Sequence, residues 1–78
     1  MKITVRPSAF PCSLAACPPG LFLCGTTLGF KSEYRTSVGG MEAYIIESGE
    51  FFWGGSDNEA ERARLVVTPC EVLIEIAN

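Results

Sequence analysis

The sequence predicts a mainly β protein: a small barrel or rolled antiparallel sheet of about six short strands, with one short α-helix near residues 57–64. Three observations carry this. Apolar and polar residues alternate in short runs bounded by glycine and proline, as in half-buried strands. A single segment, Ser56 to Arg64, carries helix-start and helix-end chemistry. Ahead of it lies Tyr44-Ile45-Ile46-Glu47-Ser48-Gly49-Glu50-Phe51-Phe52-Trp53, a hairpin sequence that is apolar on both faces.

Lys2 to Arg6 alternates, with Ile3 and Val5 on one face, and reads as the first strand. Pro7 to Gly20 is irregular and proline-rich; Ser13 to Cys17 suits one helical turn closed by Pro18. Pro19-Gly20 fits the centre of a type II turn leading into a second strand, Leu21 to Cys24. Leu28 to Arg35 is the cleanest strand, with Leu28, Phe30 and Tyr34 on one face and Lys31, Glu33 and Arg35 on the other. Ser37 to Gly40 makes the next loop.

A two-residue Ser48-Gly49 turn would then pair Ile46 with Phe51, Tyr44 with Trp53, and Ile45 with Phe52. A hairpin covered on one side alternates apolar with polar. This one must be buried between layers or offer an aromatic face to a partner. After Gly54-Gly55, a capping box with Ser56 as N-cap and Glu59 three residues on starts the helix. Arg62 and Arg64 near its end suit the helix dipole. Leu65 to Thr68 returns to strand, Pro69 interrupts, and Val72, Ile74 and Ile76 alternate in a final strand.

Seventy-eight residues form one domain, residues 1–78, of the size of small SH3-like or OB-like barrels. The charge is −3, and the six bases are scattered. Non-specific nucleic-acid binding needs them clustered, so composition argues against it. No histidine is present, which removes the usual general base, metal ligand and pH switch. No catalytic constellation is recognisable, and neither enzyme chemistry nor a cofactor is expected. The uncharged run between Arg6 and Lys31 is broken by prolines and glycines, so it is not a spanning helix. Leu14-Ala15-Ala16-Cys17 has the form of a lipoprotein cleavage box, but Pro7 and Pro11 interrupt the short apolar stretch before it. A cytoplasmic protein is expected, with acylation at Cys17 as the alternative.

Cys12, Cys17, Cys24 and Cys70 read as small apolar residues. As a metal site they would have to supply all four ligands, since no histidine can help. Glu47 and Glu50 would face one another across the hairpin turn as solvated charges that discourage aggregation. Gly54-Gly55-Ser56 before a helix suggests an anion site, but Asp57 and Glu59 already supply negative charge there. The best candidate surface is Tyr44, Ile46, Phe51 and Trp53, a seam for a protein partner or a homodimer. The alternative is a nucleic-acid surface of Lys31, Tyr34, Arg35 and Trp53.

Cys17-Pro18-Pro19-Gly20-Leu21-Phe22, Leu28-Gly29-Phe30-Lys31-Ser32-Glu33-Tyr34 and Ser48-Gly49-Glu50-Phe51-Phe52-Trp53-Gly54-Gly55 together resemble small uncharacterised proteins of bacteriophage and prophage genomes. The resemblance spans about residues 17–70. It implies a bacterial or phage origin and cytoplasmic expression, and it brings no activity with it. The expected protein is non-enzymatic and acts through protein contacts or self-association.

Overall fold

A computed structural model describes residues 2–76. It is mainly β: six antiparallel strands in one rolled sheet, with one short helix. The strands are β1 (Lys2–Pro7), β2 (Cys12–Ser13), β3 (Gly20–Cys24), β4 (Thr27–Arg35), β5 (Met41–Ile45) and β6 (Val66–Glu75), with α1 (Glu59–Ala63) before β6. The order across the sheet is β1-β6-β3-β4-β5, and β2 also pairs with β6. Of the two expected forms, the rolled sheet is found; it is not closed into a barrel.

Pro69 does not interrupt the last strand. β6 runs unbroken through it, paired with Phe22 of β3 on one side. On the other side the four residues Ser8 to Pro11 bulge between β1 and β2, and Ser8 N donates to the Pro69 carbonyl at 2.9 Å. Proline is tolerated in a sheet where a bulge leaves no acceptor for its missing N–H. The irregular segment 7–20 thus contains a strand of its own, β2.

The core lies on one face only: Leu14, Cys17, Phe22, Met41, Ala43, Phe52 and Val67. Phe22 meets Phe52 edge-on, with ring centroids 5.0 Å apart. Phe22 also lies flat over Gly29 of the neighbouring strand, where an added Cβ would come within 2.3 Å of the ring. The absent side chain at Gly29 is the seat of one of the two fully buried phenylalanines. Consequently β4 presents Gly29 and Lys31 to the core, while Phe30 is 42% exposed. Phe30 and Lys31 lie on opposite faces as the alternation predicts, and it is the face of Phe30 that stays open.

The hairpin register also differs from expectation. Tyr44 bridges Phe51, and Ile45 N donates to the Glu50 carbonyl. A two-residue loop with Ser48 first would require Ser48 at positive φ (type I′) or glycine in its place (type II′). Among the described residues no non-glycine has positive φ, and Gly49 (φ 74°) instead closes a four-residue loop through its N–H to the Ile45 carbonyl. Glu47 and Glu50 therefore do not oppose one another. A shift of two residues leaves every side chain on its original face, so Tyr44, Phe51 and Trp53 still lie together.

The helix starts two residues later than the capping box suggests. Asn58 is the N-cap, accepting from Glu61 N at 2.9 Å, and the Glu61 carboxylate accepts from Asp57 N at 3.0 Å. Ser56 is occupied in the preceding turn, donating to the Trp53 carbonyl. The later start carries Arg62 inward, and its side chain is fully buried.

Arg62 ties the helix to the sheet. The next rung of the ladder beyond Tyr44–Phe51 would use the Phe52 and Met41 carbonyls. The chain turns away at Gly54-Gly55, and the guanidinium takes both carbonyls, each at 2.6 Å. It also donates to Glu59 at 2.7 Å and stacks 4.2 Å from the Phe51 ring centroid. Removing it strands two buried carbonyls and an aromatic pair. We expect Arg62→Ala to destabilise the fold by about 3–5 kcal/mol in urea unfolding, with Arg62→Lys intermediate because an ammonium lacks the planar fork. Gly29→Ala should cost about 1–3 kcal/mol through displacement of Phe22, readable as a lowered Tm.

Candidate functional site

The uncovered side of the sheet is built by strand alternation. Across the strands, Leu21, Phe30, Tyr44 and Phe51 stand directly opposite one another in a single row. Tyr44 and Phe51 meet edge-on at 5.7 Å, and Phe51 and Trp53 tilt together at 5.4 Å. Leu23, Leu28 and Ile46 flank the row, with Ile46 N held by the Leu28 carbonyl. Phe30, Tyr44, Ile46 and Trp53 are each more than a third exposed. The expected group Tyr44, Ile46, Phe51 and Trp53 thus shares one side of the sheet, and Phe30 joins it. Phe30 escaped notice because its strand reads equally well with that residue buried.

The row is held from behind. Arg62 lies under Phe51 and 5.3 Å from the Trp53 centroid, so two of its rings are pinned by a buried cation. Such a desolvated stack is worth up to about 2 kcal/mol. Arg62 thereby backs the Phe51–Trp53 end of the row.

The alternative set Lys31, Tyr34, Arg35 and Trp53 does not come together with its charges free. Lys31 points to the opposite side from Phe30 and is buried. Its ammonium donates to the carbonyls of Leu14 (2.8 Å), Ala15 (3.2 Å) and Cys17 (2.6 Å). It fastens the 13–17 turn over the core. Arg35 reaches back to the Gly39 carbonyl at 3.1 Å. Tyr34 stands exposed on a bulge between Lys31 and Arg35, where with Pro19 and Phe30 it lines a shallow depression.

The four cysteines are free thiols. Among the described residues no group of three or more Cys, Asp or Glu is placed to hold a metal ion. Cys17 lies in the core, and burial first, then the neighbouring Cys12, pushes its thiol above the ordinary value, opposed by Lys31. Burial also raises the Cys70 thiol and lowers the Lys31 ammonium. At the helix start, Asp57 N and Glu61 N are already taken by side-chain oxygens, so the Gly54-Gly55-Ser56 segment offers only part of an anion cradle. Among the described residues no helix is long and apolar enough to cross a membrane. No family model, no curated protein and no solved structure matches this chain.

Lys31→Met should leave three carbonyls of the turn without their donor and destabilise the protein by about 2–4 kcal/mol. Hydrogen exchange should accelerate first at Ala16 and Cys17. The folded Cys17 thiol binds its proton more tightly than the unfolded one, whose ordinary value is near 9.0. That contribution to stability is intact below pH 9 and is lost as pH rises through the folded value. Urea midpoints measured from pH 7 to 10 should therefore decline less above pH 9 in Cys17→Ala than in the parent.

Proposed function

We propose that this is a non-enzymatic binding protein whose working surface is the aromatic row of the uncovered sheet face, centred on Tyr44, Ile46, Phe51 and Trp53. One observation carries the reading: a contiguous row of aromatic and branched side chains, backed at its Phe51–Trp53 end by Arg62, has no layer over it. Monomeric proteins rarely expose contiguous apolar patches beyond a few hundred Å². Rigid aromatics are also what binding hot spots are made of, because they lose little entropy on contact. Action in a bacterial or phage-infected cytoplasm, as the resemblance implies, belongs to the same proposal.

Nucleic acid suits this surface less. Stacking platforms for single strands are flanked by free cations. Here Lys31 is turned to the other side, and the chain is acidic overall.

Ile46→Glu tests the reading, because Ile46 is 51% exposed and lies outside the core cluster. The variant should keep its circular dichroism and its Tm within about 3 °C. It should also lose at least about tenfold of any saturable association the parent shows, with itself or with another protein, in cross-linking followed by mass spectrometry. Associations unchanged by Ile46→Glu would overturn the proposal.

A further inference from the structure

The uncovered face does not end at the aromatic row. Past Cys70, β6 leaves β3 behind and continues with β1 as a two-stranded ribbon, Lys2 to Arg6 against Glu71 to Glu75. Alternation sorts the ribbon's two sides. Ile3, Val5, Val72 and Ile74 stand on one, while Lys2, Arg6, Glu71 and Glu75 stand on the other with Thr4 and Leu73. The apolar side is continuous with the aromatic row, because Thr68 pairs with Leu23 and the face is then carried along β6 by every second residue. Ile3 and Ile74 are each 59% exposed. Isolated two-stranded ribbons are at best marginally stable in water.

We infer that the occupant of this face is a second copy of the chain. The two copies pack face to face, with the ribbon of each laid over the aromatic row of the other. This rests on the reading of the row as a contact surface and adds its partner and its geometry.

Area decides the arrangement. The exposed parts of the four ribbon residues amount to roughly 350 Å², and those of Phe30, Tyr44, Ile46 and Trp53 to about as much again. Ribbon on ribbon, or row on row, would bury roughly 700 Å² in total, below the approximately 1,000 Å² a specific interface needs. The reciprocal arrangement covers both halves on both copies and reaches roughly 1,400 Å², within the standard range. A two-fold axis lying in the interface, across the 47 Å long dimension, exchanges the two halves.

Charge agrees with face-to-face packing. The ribbon's charges are on its other side, where Arg6 and Glu71 pair at 2.7 Å, so two acidic molecules approach without desolvating them. Edge-to-edge addition is discouraged. Antiparallel pairing of β1 with its own copy about Thr4 would set Lys2 against Arg6, and pairing of β6 about Leu73 would set Glu71 against Glu75. A lipid surface would call for a basic rim, and the ribbon's two cations point away from the apolar side.

Complementation between two variants tests the geometry, read by native mass spectrometry and light scattering over a concentration series. Ile74→Lys alters the ribbon and Ile46→Glu the row. The parent should be dimeric at about 10 μM, and each variant alone should be monomeric, with Kd raised at least about 100-fold. Mixed one to one, they should form a heterodimer, since one half-interface is then unaltered and the other sets lysine near glutamate. Variants that stay monomeric when mixed overturn the reciprocal geometry. A parent that is monomeric at 100 μM overturns the self-pairing. In that case an Ile46→Glu-sensitive complex with another protein keeps the contact-surface reading, and loss of both ends it.

Discussion

Backbone carbonyls that no strand or helix can reach are the constraint around which this small fold is organised, and two buried cations answer them. The layer over the core is too short to be regular: a turn at 13–17, a helix of five residues and the segment around Phe52. Regular structure pairs its own polar groups, whereas a patchwork cover does not. Lys31 collects three carbonyls of the turn and Arg62 takes the two left open where the chain parts from β5. Each cation therefore positions a piece of cover that apolar contact alone would leave free to slide. Among the described residues no buried side-chain nitrogen or oxygen lacks a partner.

Placing long charged side chains in the core has a consequence for the opposite surface. A strand has two sides, and β4 gives its inward positions to Gly29 and Lys31. Its bulky apolar residues are then outward by default. The same inversion extends along the row to Tyr44 and Phe51, and the inward positions of β5 are filled by Met41 and Ala43. The exposed aromatic face and the cation-pinned core are thus two sides of one decision about register. Arg62 joins them physically, since its guanidinium bonds the core-side carbonyls and stacks beneath an outer ring.

Much of the fold was legible from local pattern. The strand segments, the single helix and the shared side of Tyr44, Phe51 and Trp53 follow from alternation and capping chemistry. What escaped was set by contacts remote in sequence. Nothing near Arg62 marks it as buried, because an arginine late in a helix equally suits the dipole in solvent. Lys31 looked like part of a charged strand face, and only the carbonyls of residues 14, 15 and 17 turn it inward. The helix was expected to start at Ser56, but Asn58 is likewise followed three residues later by glutamate, and it is the cap that goes with a buried Arg62. The hairpin register was partly decidable, since serine seldom takes the positive φ that the first position of a two-residue type I′ loop asks of it. The ribbon was not, because no local signal says that β1 and β6 are partners.

That partnership also orders events in time. β3, β4 and β5 follow one another with short connections, and their pairing closes small loops. The ribbon joins Arg6 to Glu71, 65 positions apart, and must close a far larger loop. Loop closure over such a distance is slow, and contacts of this kind form late in folding. The end of the molecule farthest from the core is thus the last to be completed and the first to open, so the apolar face is assembled in two stages.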